Sequence, residues 1–94
     1  MSTNKALAEI FYQMSEILEI KGQTWESRAY QKAARTLENA STDVSDIYKK
    51  SGLPGLMEIP GIGEGLAKKI EEFLKEEKIK KHEELLKSIP SGLL

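Results

Sequence analysis

A chain of 94 residues with 39% hydrophobic and 31% charged side chains describes one small domain, too apolar to be disordered and able to bury roughly 60–65% of its unfolded surface. A net charge of −1 and a pI near 5.9 exclude a uniformly basic nucleic-acid binder, so any hold on DNA must come from locally placed lysines, backbone amides or a neighbouring domain. The absence of cysteine rules out disulfides and thiolate metal sites, and with no signal-peptide core and no apolar run near ~20 residues the sequence predicts a cytosolic protein.

In chain order, the first helix is predicted from about Asn4 to Ile20. Leu7, Ile10, Phe11, Met14, Ile17 and Leu18 recur at three- and four-residue intervals and make one apolar stripe. Thr3 or Asn4 supplies a cap and Gly22 a stop. A second helix, capped by Thr24, runs to about Asn39 with Trp25, Ala29, Ala33, Leu37 and Ala40 on its inner face. After a polar connection, Asp43 caps a short helix from Val44 to Lys50, which Ser51-Gly52 breaks. Pro54 opens another short helix that ends near Ile59. A helix from about Glu64 to Glu77 follows, then a last one from about Lys80 to Ser88 that carries Leu85, Leu86 and Ile89 before Pro90 stops it. No stretch alternates with period two, so the fold class is all-α: a compact bundle of about four main helices with one or two short ones. The chain forms a single domain over 1–94. Its closing residues, Ser91-Gly92-Leu93-Leu94, carry apolar side chains without a partner, which leads us to expect a longer protein.

The most informative segment is Ile59-Pro60-Gly61-Ile62-Gly63-Glu64-Gly65-Leu66-Ala67-Lys68-Lys69-Ile70. Gly61, Gly63 and Gly65 stand at alternate positions and open directly into an amphipathic helix seated by Leu66, Ala67, Ile70, Phe73 and Leu74. A backbone that turns tightly without Cβ atoms can come close to another molecule, and its amides at a helix N-terminus suit a phosphate oxygen. This is the plan of a helix-hairpin-helix over 59–65, which grips the sugar-phosphate backbone without reading bases.

The lysines divide by their neighbours. Glu64/Lys68, Glu71/Lys75 and Glu77/Lys81 stand four apart with glutamate first, the favourable order for self-paired, solvated charge. Lys68 remains a candidate DNA contact beside the hairpin. Lys69 has Gly65 and Phe73 one turn away and only Glu72 as an acidic neighbour at helical spacing. A partly desolvated lysine can serve as an amine nucleophile. On the second helix Tyr30, Arg28 and Lys32 form a candidate phosphate- or base-contacting patch, against the plainer alternative of a half-buried packing tyrosine between solvated cations. His82 has no second ligand type at useful spacing and reads as a surface histidine, and Asp43 and Asp46 read as capping residues.

Three stretches, Ala29-Tyr30-Gln31-Lys32-Ala33-Ala34, Ile59-Pro60-Gly61-Ile62-Gly63 and Ala67-Lys68-Lys69-Ile70-Glu71-Glu72-Phe73, resemble the N-terminal domain of the X family of DNA polymerases, the beta-like gap-filling repair enzymes. The likeness extends over essentially the whole chain, and its end is similar to the bacterial and archaeal branch. The resemblance implies docking on gapped or nicked DNA at the downstream 5′-phosphate, with C-terminal polymerase domains to follow. It also implies a 5′-deoxyribose-phosphate lyase whose Schiff-base lysine falls on Lys69. Tyr30 and Lys81 match phosphate-contacting residues of the family. Gly65 stands where the family has a lysine, and Trp25 and Glu26 stand where it has a histidine and a lysine. The family's hairpin binds a monovalent cation, Na⁺ or K⁺, through backbone carbonyls that correspond here to Met57, Ile59 and Ile62; the lyase needs no cofactor.

These readings point to the DNA-binding module of a repair polymerase, monomeric and cytoplasmic in association with the nucleoid. Lyase chemistry is a secondary expectation. The chain itself does not polymerise, because it has no metal-binding aspartate cluster on strands. The alternative is a non-enzymatic helical module that uses the same hairpin for protein interaction or weak, non-specific DNA binding.

Overall fold

Leu7, Phe11, Met14, Ile17 and Leu18 lie on one stripe of the first helix, and all five are fully buried. That stripe is the spine of the core. The computed structural model describes residues 2–90, which form five helices: α1 (Thr3–Ile20), α2 (Thr24–Asn39), α3 (Val44–Met57), α4 (Glu64–Glu76) and α5 (Lys80–Lys87). The all-α expectation holds among these residues. The closing segment Ser91-Gly92-Leu93-Leu94 lies outside the described residues.

The cap of α1 is Ser2 rather than Thr3 or Asn4; its hydroxyl accepts the amide of Lys5 at 3.4 Å. Asn4 is instead buried. Its Nδ2 donates to the Thr42 carbonyl at 2.9 Å and its Oδ1 accepts the Val44 amide at 2.8 Å, tying α1 to the start of α3. Asp43 completes this junction. It caps α3 by accepting from the amide and hydroxyl of Ser45, and its second oxygen accepts the Thr3 amide at 2.9 Å. Burial opposes ionisation of Asp43, but the hydrogen bonds from Ser45, Asn4 and Thr3 outweigh it and hold the carboxyl at about 2.

The chain leaves α1 through Gly22, at φ +81. The amide of Gln23 bonds to the Leu18 carbonyl and that of Gly22 to Glu19, a Schellman closure. The three-residue link makes α2 run back along α1, and this pair is the most extensive helix contact. Thr24 begins α2 and does not cap it; Gln23 precedes it without a side-chain bond. The inner face is Ser27, Tyr30, Ala33, Ala34 and Leu37. Trp25 is 85% exposed, and Ala29 and Ala40 also face outward. Two contacts set this rotation. Ser27 donates to the Ser15 carbonyl at 2.8 Å, so its oxygen receives the Ser15 hydroxyl at 3.0 Å, which draws the helices together. Tyr30 meets Phe11 edge-on, with ring centroids 5.3 Å apart.

Residues 44–57 are two short helices joined at Gly52, where φ is +64 and ψ is −156. The predicted break and the restart near Pro54 therefore stand. The second half of α3, the turn and α4 form the helix-hairpin-helix, and α4 packs on α3 through Ala67 and Ile70. It ends at Glu76, with Glu77 left-handed at φ 60. Ile79, fully buried, then anchors the turn into α5, which rests on α1. Leu85 faces inward, Ile89 is partly covered, and Leu86 is exposed. No helix of the described residues is long and apolar enough to cross a membrane.

Candidate nucleic-acid interface

The hairpin begins with a turn in which the Ile62 amide bonds to the Ile59 carbonyl at 3.0 Å. Pro60 occupies its second position and Gly61, at φ +83, its third, the residue pattern of a type II turn. Only Gly61 is required by its dihedral; Gly63 is extended at φ −83 and Gly65 is helical. The latter two matter for access: a Cβ at either would meet nothing within 4 Å. Ile62 is buried and pins the loop to the core.

Gly63 serves as N-cap of α4 without a side-chain bond, and its carbonyl accepts the Ala67 amide at 2.9 Å. The amides of the first turn are left pointing outward, with the positive end of the helix dipole behind them. Lys32 reaches this loop from α2; its Cε lies 3.7 Å from where a Cβ on Gly61 would stand. Lys68 pairs with Glu64 at 3.3 Å, both well exposed. Of the other predicted i,i+4 pairs, Glu71–Lys75 forms at 3.8 Å. Lys81 does not pair with Glu77, because the left-handed Glu77 ends the helix between them; it pairs with Glu26 of α2.

One turn beyond Gly65, Lys69 lines a cleft of about 640 Å³ together with Lys21 from the end of α1, Glu72 of α4, and Lys80, Lys81 and Glu84 of α5. Lys69 is half-buried and makes no ion pair with any described carboxylate. Glu72, the acid expected to oppose it, accepts the Lys80 backbone amide at 2.8 Å and so caps α5. Lys21 and Lys80 were not among the sequence candidates. Lys21 lies 48 positions before Lys69 in the chain, and only the α1–α2 hairpin brings it near.

A family model of the helix-hairpin-helix domain matches residues 2–79. The chain belongs to the helix-hairpin-helix domain family. No curated protein sequence matches it.

Within this helix-hairpin-helix domain the expected patch of Tyr30, Arg28 and Lys32 does not assemble. Arg28 and Lys32 share the outer face of α2, and Tyr30 points the other way, 5% exposed. Its hydroxyl has no hydrogen-bond partner among the described residues, yet it is not sealed from solvent. Burial, then the charges of Glu26 and Glu72, push it up to about 12, so it stays a neutral donor beside the lysine cleft.

Of the carbonyls assigned to a cation by resemblance, that of Ile59 accepts the turn bond, and those of Met57 and Ile62 receive no loop amide among the described residues. No group of three His, Asp or Glu side chains is placed for a metal among those residues. His82 bonds to Gln13 at 2.6 Å, and burial lowers its pKa against the opposing charge of Glu83.

Proposed function

We propose that this domain binds the sugar-phosphate backbone of DNA and docks at the downstream 5′-phosphate of a gapped or nicked duplex, as the N-terminal module of an X-family repair polymerase. The observation that carries this reading is the unpaired Lys69, in a cleft with Lys21, Lys80 and Lys81, one helical turn past the open amides of the hairpin. In this proposal the hairpin holds an internal phosphate through backbone N–H groups, and the cleft takes the terminal phosphate through ammonium groups. The Tyr30 hydroxyl, kept neutral by burial, feels the charge of Glu72 on the cleft wall but does not itself line the cleft. A monovalent cation fits the same reading, because the Met57 and Ile62 carbonyls are free to coordinate it and the Ile59 oxygen keeps a second lone pair.

Binding titrations test the docking. The domain should prefer 5′-phosphorylated gapped duplex to the 5′-hydroxyl form and to intact duplex, and all three affinities should fall as salt rises. Equal affinity for all three would leave only a non-enzymatic module with weak backbone binding.

A lyase role rests on the half-buried, unpaired state of Lys69. Its amine would attack C1′ of the ring-opened sugar and expel water to form an imine. Loss of a proton from C2′ then breaks the C3′–O bond, the 3′-phosphate leaves with the electron pair, and water later releases the sugar from the lysine. Borohydride trapping on a 5′-deoxyribose-phosphate substrate should label the parent protein. Equal labelling of Lys69→Ala would overturn the assignment.

A further inference from the structure

A second groove, of about 690 Å³, runs between the C-terminal half of α2, the connection at 40–42 and the start of the hairpin. Lys32 and Arg35 are the charged residues on its walls, and no carboxylate lines it. The lysine cleft, by contrast, includes Glu72 and Glu84. Neither Lys32 nor Arg35 is in an ion pair with a described carboxylate; Arg35 lies near the Tyr12 hydroxyl, which donates to Glu38 at 2.9 Å outside the groove. They stand three apart on α2, about 5–6 Å between Cβ atoms, and both face outward. Thr36 and Ser41 add hydroxyls, and Ile59 and Pro60 form an apolar wall that is itself the beginning of the hairpin. The groove is continuous with the hairpin through Lys32, whose side chain lies against Gly61.

We propose that this groove carries the sugar-phosphate backbone onward from the hairpin, with Lys32 and Arg35 each neutralising one phosphate. The inference rests on the reading that the hairpin grips DNA, and it adds a contact surface that the motif itself does not contain. Charge selects the occupant. In a chain of net charge −1, a groove with two cations outside any ion pair and no acid on its walls fits a polyanion. Arg35 suits a phosphate further, because its planar fork can donate two parallel hydrogen bonds. An acidic protein segment is the competing occupant, and the test separates the two.

The experiment measures the salt dependence of binding to gapped duplex, 5′-phosphorylated and 5′-hydroxyl, for the full chain and for Lys32→Gln, Arg35→Gln and Arg35→Lys. Each glutamine variant should lower the slope of log K against log salt by about 1 and weaken binding about fivefold near 0.15 M salt. The loss should be equal on the two DNAs, so the preference for a 5′-phosphate is retained, and Arg35→Lys should keep the parent slope. Parent slope and affinity in both glutamine variants would overturn the proposal and leave the groove to a protein partner, with the hairpin reading intact. A loss confined to 5′-phosphorylated DNA would also overturn it, by assigning these cations to the terminal phosphate. A parent chain that binds none of the DNAs would overturn this proposal and the hairpin reading together.

Discussion

At the hairpin the groups offered to a ligand are backbone amides, held by a turn whose shape depends on Gly61. One helical turn further on they are the ammonium groups of Lys21, Lys69, Lys80 and Lys81. The amides carry a fixed partial charge of roughly half a unit at the helix end, and among the described residues no side chain caps them. The ammonium groups carry more charge but share their cleft with Glu72 and Glu84, and Lys81 is already committed to Glu26. A site built from backbone is weak per group but carries no side-chain cap. A site built from lysines is strong per group and partly occupied by its own surroundings.

The sharpest way to break this comparison is to remove the turn. Gly61→Val places a β-branched residue at φ +83, and should cost about 1–3 kcal/mol of stability as well as hairpin binding. Urea unfolding reads the first and titration with intact duplex the second. A variant as stable as the parent would mean that the turn tolerates another conformation. Gly63→Val separates access from strain. Its backbone is extended and its Cβ would meet nothing, so unfolding should be nearly unchanged. The added side chain stands in the way of a close-approaching strand, and DNA affinity should fall about tenfold, the worth of one charge-assisted hydrogen bond of about 1.5 kcal/mol. Equal affinity would place the strand away from Gly63.

Asp43 supplies the complementary control, because it acts on the scaffold and touches neither region. Asp43→Asn should destabilise by about 1–2 kcal/mol near pH 7 through the weakened caps, with the ratio of affinities for 5′-phosphorylated and 5′-hydroxyl DNA unchanged. The sign of the pH effect follows from the depressed carboxyl. Its folded value of about 2 lies below the ordinary 3.8, so its contribution is complete above pH 3.8 and is lost as pH falls toward 2. The stability gap between parent and Asp43→Asn should therefore close over that window in urea midpoints measured at successive pH values. A constant gap would show that the amide loses something other than charge.

Much of the fold was legible because it is local. The α1 stripe, the Asp43 cap, the break at Gly52 and the hairpin are all written within a few residues of where they act. The inner face of α2 was not. Trp25, Ala29, Ala33, Leu37 and Ala40 share one face by periodicity, but the face that is buried is turned from it by nearly one residue, about 100°, and that choice falls to the Ser15–Ser27 and Phe11–Tyr30 contacts with α1. The lysine cleft was half legible. Lys69 stood out by its local spacing, but Lys21 and the Glu26–Lys81 pair span three helices. Glu72 looked like an acid opposing Lys69 because the sequence does not show that it caps α5.

That Glu26–Lys81 pair offers the smallest and most selective test of the contrast. Both side chains are a little over one-third exposed, so the pair contributes only about 0.2–1 kcal/mol. Glu26→Gln releases Lys81 and removes one negative charge beside the cleft, while leaving the hairpin amides as they are. Affinity for 5′-phosphorylated gapped DNA should rise about two- to fivefold at low salt, matching that energy range. The rise should shrink as salt screens the exposed charges. The 5′-hydroxyl form, with no terminal phosphate for the cleft, should gain less. Equal gains on both forms would mean that Glu26 repels the duplex as a whole. No gain on either would mean that Lys81 takes no part in binding, and the cleft would then rely on Lys21, Lys69 and Lys80.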